Sequence, residues 1–157
     1  GIAQADVIHF AAHYEVDPRY TLSSKLLLAQ PPDDRSHAEP SGVTVADIYR
    51  LNLTRTRLVV LSGCNTAIER DFGGEGPMGF ARSFLVAGVP VVVASLWPVD
   101  SDATSLLMIE FHRLRREERL STANALMSAQ QEIMTRPGYQ SPYYWAGFTV
   151  VGGYAEY

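Results

Sequence analysis

Residues 58–64 read L-V-V-L-S-G-C. An unbroken apolar run closed by small polar residues is the pattern of a strand buried on both faces of a parallel sheet. Two more stretches read the same way. Val7 to Ala12 is V-I-H-F-A-A, and residues 89–96 are V-P-V-V-V-A-S-L. Helical spacing fills the gaps. Residues 44–49 predict a short helix with Thr44 as its N-cap. Residues 78–87 place Phe80, Ala81, Phe84 and Leu85 on one face, and Gly88 ends that helix. Residues 102–115 turn Ala103, Leu106, Leu107, Phe111 and Leu114 inward, and residues 122–135 turn Leu126, Ala129 and Ile133 inward. Residues 144–152 predict a last strand, and residues 20–29 a weaker extended stretch. Residues 30–43 and 65–77 read as loops. Strands alternating with helices predict an α/β fold with a mainly parallel sheet.

Composition narrows the function classes. Of 157 residues, 46% are apolar and 19% charged, a globular balance rather than a disordered one. The net charge is −4 and Lys25 is the only lysine, so counterion release on nucleic acid has little to draw on. No apolar run approaches the ~20 residues of a membrane span, and no signal peptide is visible. Cys64 is the single cysteine, which excludes an internal disulfide and points to a reducing, cytoplasmic setting. The chain opens on Gly1 and enters its first strand by Val7, an abrupt start that predicts a fragment of a longer protein.

In open α/β sheets, sites gather at the carboxyl ends of strands. His13 follows the first strand and Cys64 the second, so both can reach one cleft. An imidazole with an ordinary pKa of ~6.5 is suited to taking a thiol proton. His9, inside the strand, is expected to be a packed wall residue, whereas His37 and His112 are expected to be solvated. The scattered histidines and one cysteine give no zinc-ligand spacing. The bland alternative for Cys64 is a small buried hydrophobe.

Five blocks carry a family resemblance: H-F-A-A-H at 9–13, L-S-G-C-N-T-A at 61–67, G-E-G-P-M-G-F-A-R-S-F-L at 74–85, V-V-V-A-S-L-W-P-V-D at 91–100 and Y-W-A-G-F-T-V-V-G at 144–152. Together they resemble the CHAT family, which is similar to caspases and separases. The resemblance implies a three-layer, caspase-like α/β sandwich. It makes residues 1–157 the C-terminal, dyad-bearing part of a peptidase domain whose N-terminal strands precede this chain. It implies a cysteine endopeptidase with His13 and Cys64 as a dyad and no cofactor. The backbone N–H groups of Tyr14 and Cys64 would form the oxyanion hole, although caspases carry Gly where Tyr14 stands. Asp100 or Asp102 would supply a pocket for a basic side chain, as in separases, with Trp97 as a wall. The competing reading of Asp100 is a helix cap. The partners implied are a protein substrate, a helical-repeat regulatory region, and an N-terminal segment or second chain covering the strand from Val7 to Ala12. An inactive interaction scaffold is the alternative. A nucleotide-binding module is a weaker one, since Gly74, Gly76 and Gly79 fit G-x-G-x-x-G but lie far from the preceding strand, and Pro77 lacks an N–H.

Overall fold

The computed structural model describes residues 2–17, 19–29, 42–63 and 76–153. The main sheet has four strands: β1 (Val7–Phe10), β5 (Leu58–Leu61), β6 (Val91–Ser95) and β7 (Phe148–Gly152), in the order β1-β5-β6-β7. The first three run parallel and β7 is antiparallel to β6. Every residue of β5 and β6 is buried, as their unbroken apolar runs require.

Side-chain alternation divides the core in two. Val59, Leu61, Val92 and Ala94 face α1 (Val45–Tyr49) and α2 (Gly76–Val86), where Ile48, Phe80 and Phe84 meet them. Leu58, Val60, Val91 and Val93 face α3 (Ser101–Glu117) and α4 (Thr122–Thr135), against Leu107, Phe111, Ala129 and Ile133. The result is the three-layer sandwich expected of the sequence. Helix ends also follow local chemistry. Thr44 and Asp47 form a reciprocal capping box at α1. Gly88 takes φ +104° two residues past α2 and returns its N–H to Leu85.

Three features differ from the sequence reading. β1 is not buried on both faces. Ile8 and Phe10 enter the core, Val7 and His9 are exposed, and the strand lies at the sheet's edge among the described residues. Its apolar run hid this, because V-I-H-F-A-A shows no alternation. Residues 144–152 are not one strand: Tyr144 and Trp145 end α5 (Pro142–Trp145), which has Pro142 in its first turn, and β7 begins only at Phe148. Finally, β2 (His13–Glu15), β3 (Lys25–Leu27) and β4 (Gly42–Thr44) form a separate antiparallel sheet, packed through Tyr14 and Leu26 onto the α1–α2 side of the core. Among the described residues no helix is long and apolar enough to cross a membrane.

Candidate active site

The site is built where β1 and β5 end side by side. Phe10 is in register with Leu61, and the Ser62 N–H donates the last backbone bond among the described residues, 3.0 Å to the Phe10 carbonyl. Beyond it the chains part. Ala11 and Ala12 lead into β2, where His13 is exposed, and Ser62 and Gly63 lead toward Cys64. A cleft of about 320 Å³ opens between these ends and the first turns of α3. His9, His13, Ser62 and Gly63 line one side, and Ser101 and Thr104 line the other. The Thr104 hydroxyl is buried and has no hydrogen-bond partner among the described residues.

Gly63 explains why His13 and the end of β5 sit so close. A Cβ on Gly63 would collide with the Ala12 carbonyl oxygen and the Tyr14 ring. The residues on either side of His13 therefore pack directly on the residue before Cys64. Tyr14 is held from behind by Phe80, with ring centroids 5.3 Å apart. The Tyr14 backbone needs no glycine-like freedom. It pairs with Leu26 in β2–β3, and Arg119 is the sole non-glycine of positive φ among the described residues. Cys64 itself, His37 and the glycine-rich loop through residue 75 lie outside the described residues. Gly76 and Gly79 lie within α2 itself, not in a strand-to-helix turn as a dinucleotide fingerprint requires.

Asp100 is the N-cap of α3, its Oδ1 accepting 2.9 Å from the Ala103 N–H. Asp102 is exposed in the first turn of the same helix. Ser101, between them, lines the cleft. Trp97 packs against the α3–α4 core and donates its indole N–H to the Tyr143 carbonyl at 3.2 Å.

A histidine pair behind the cleft was not anticipated. His9 Nε2 lies 2.6 Å from Ser62 Oγ, and His9 Nδ1 lies 3.1 Å from His112 Nε2. His112 is thus not the solvated residue that its helical position suggested. Desolvation lowers the pKa of His9. Desolvation, then the charges of His9 and Arg115, push His112 down to about 4. Both rings are neutral at neutral pH. The signal available in the sequence was the fourfold spacing of His9 and His13, which puts His9 on the strand and His13 beyond it. Nothing local linked His9 to a helix a hundred residues on. Among the described residues no three metal-ligating side chains come together.

The CHAT domain model matches residues 2–153. The mouse protein named tetratricopeptide repeat protein 28 is 28% identical over 182 aligned residues, covering 96% of this chain and 7% of the relative. Its human counterpart is 27% identical, with the same coverage. Separin of Schizosaccharomyces pombe is 38% identical over 61 residues, 37% of this chain and 3% of the relative. The chain therefore spans less than a tenth of the length of these curated relatives.

Proposed function

Since the chain belongs to the CHAT domain family, within the caspase-like peptidase group, we propose that it is a cysteine endopeptidase acting through His13 and Cys64. The supporting observation is the packing of Ala12 and Tyr14 onto Gly63, which brings the neighbours of His13 against the neighbour of Cys64 along one cleft. In this mechanism His13 takes the thiol proton and Cys64 attacks the scissile carbonyl. The tetrahedral oxyanion is received by the backbone N–H groups of Tyr14 and Cys64. His13 then returns the proton to the departing amine, and water, deprotonated by His13, releases the acyl-enzyme. The reaction requires no cofactor.

For the residue before the cut we propose a basic side chain. Asp100 and Asp102 flank cleft-lining Ser101, and a carboxylate there would form charge-assisted hydrogen bonds with an arginine. Trp97 would border that pocket. The substrate is a protein, and the setting is cytoplasmic. The relatives named for tetratricopeptide repeats support a helical-repeat regulatory region in the parent protein. The edge of β1 is then covered by an N-terminal segment of the same domain or by a second chain.

The test is a fluorogenic peptide panel cut by wild type, Cys64→Ala and His13→Ala, with fold checked by circular dichroism. Cleavage after Arg or Lys should vanish in both variants. Cleavage at the wild-type rate by Cys64→Ala would remove the peptidase mechanism, whereas cleavage after Asp but not Arg would remove only the acidic pocket.

A further inference from the structure

We propose that His112, His9 and Ser62 form a positioning relay that fixes the end of β5 from which Gly63 and Cys64 continue. The inference rests on the peptidase reading only in the use to which that end is put.

Among the described residues the backbone ladder between β1 and β5 stops at the Ser62 N–H. Past that bond, side chains hold the strand end. Ser95 Oγ donates to the Gly63 carbonyl at a long 3.4 Å. The shorter contact is Ser62 Oγ to His9 Nε2, at 2.6 Å. His9 stands on an exposed position of an edge strand, where an imidazole alone would rotate about χ2. His112 prevents this. It holds His9 Nδ1 at 3.1 Å, with the ring centroids 5.1 Å apart and the planes tilted by 40°. His112 is itself fixed on α3, and its ring stands edge-on to buried Phe111. Rigidity thus passes from the helix layer through two rings to the strand end.

Proton placement makes the chain directional. A neutral imidazole has one donor and one acceptor nitrogen. If His112 Nε2 donates to His9 Nδ1, then His9 Nε2 donates to Ser62 Oγ and the serine hydrogen can turn to the cleft. In the reverse arrangement Ser62 donates to His9 and His9 to His112. Either direction completes the chain with each ring carrying one proton. Protonating both rings would set two N–H groups against each other across the 3.1 Å gap. The surrounding charges oppose that. His112 shares a groove with Arg115, Arg116 and Arg119. On the cleft side the titratable neighbour of His9 is His13. No carboxylate lines either surface among the described residues.

Cys64 is the only cysteine, so its alkylation by iodoacetamide reads the relay without any substrate. The variants are His112→Phe and Ser62→Ala, which break the chain, and His112→Gln and Ser62→Thr, which retain a hydrogen-bonding group. Breaking the chain should slow alkylation at pH 7 by roughly threefold to tenfold, because the strand end that leads to the cysteine is no longer held. Peptide cleavage should lose roughly tenfold in kcat with KM unchanged, as expected for a misplaced reacting group. Gln and Thr should restore most of both rates. The double variant His112→Phe/Ser62→Ala should be no worse than the weaker single one, because both cut the same chain. Wild-type alkylation rates in both broken variants, additive losses, or no rescue by Gln and Thr would overturn the relay. If His112→Phe fails to fold, Ser62→Ala against Ser62→Thr decides the matter. A relay pattern in alkylation with no wild-type peptide cleavage would uphold the relay and overturn the peptidase reading instead.

Discussion

β5 and β1 lie side by side and both end at the cleft, yet they are built differently. Leu58, Val59, Val60 and Leu61 are all fully buried, with a helix layer on either side. In β1 only Ile8 and Phe10 are buried, while Val7 and His9 open outward. A polar side chain on a fully packed strand must find a buried hydrogen-bond partner, as Ser95 on β6 does at the Gly63 carbonyl. An edge strand escapes that demand, because half its positions face water. The central strand therefore supplies a fixed rail for Ser62 and Gly63, and the edge strand supplies the imidazole that reaches across to it. The site stands where the two meet.

The largest expected effect separates the two strands directly. Leu61→Ala removes a fully buried side chain and should cost about 2–5 kcal/mol, measured by urea unfolding. Val7→Ala, at a position 41% exposed, should cost below about 1 kcal/mol. Equal losses would erase the distinction between rail and edge.

Gly63→Ala probes their junction. The added methyl meets the Ala12 carbonyl and the Tyr14 ring, and backbone cannot rotate away as a flexible side chain can. Overpacking of this kind should cost about 1–3 kcal/mol. Cys64 alkylation should also change, because the two strand ends are pushed apart. An unchanged melting temperature and alkylation rate would mean that this contact does not set the spacing of the site.

How much of this was legible beforehand follows from the same contrast. The unbroken runs of β5 and β6 announce themselves, and so do the helical periods of α3 and α4 and the Thr44 cap. Each is decided by residues close in sequence. β2, β3 and β4 are three residues each, too short for a period of two to register. The exposed edge of β1 was masked because Ala11 and Ala12 extend its apolar run past the last paired residue. The His9–His112 contact depends on how α3 packs across the sheet, which no local pattern encodes. The positions of His13 past a strand end and of Asp100 at a helix start were legible because strand ends and helix starts are local events, and the cap on Asp100 is the role sequence alone makes most direct.

pH should act on the edge and spare the rail, since β5 and β6 contain no titratable side chain. His112 has a folded pKa of about 4, below its ordinary 6.5, and that of His9 is also lowered. As pH falls from 6.5 toward 4 the unfolded chain takes up protons first, so stability is full above that window and declines through it. Below about 4 His112 adds no further loss. Urea midpoints at pH 7, 5.5 and 4.5 should fall less steeply in His112→Gln than in wild type. Parallel slopes would show that the pair is not desolvated as described.

The smallest expected change in stability bears on the outer side of β1. Val7 is exposed and borders the groove of Arg115, Arg116 and Arg119, so Val7→Lys removes little packing and adds one charge among like charges. Its cost should stay near 0.5 kcal/mol, as for most surface substitutions. Its effect on association should be larger. An edge strand offers unpaired backbone groups to any extended chain, and a lysine there discourages such pairing. If the edge recruits a covering segment or a second copy, the isolated chain should elute above monomer mass by light scattering. Val7→Lys should then shift it to monomer, with the unfolding midpoint nearly unchanged. A wild-type monomer indifferent to Val7→Lys would mean that the exposed half of β1 serves the cleft alone, through His9, and not a partner.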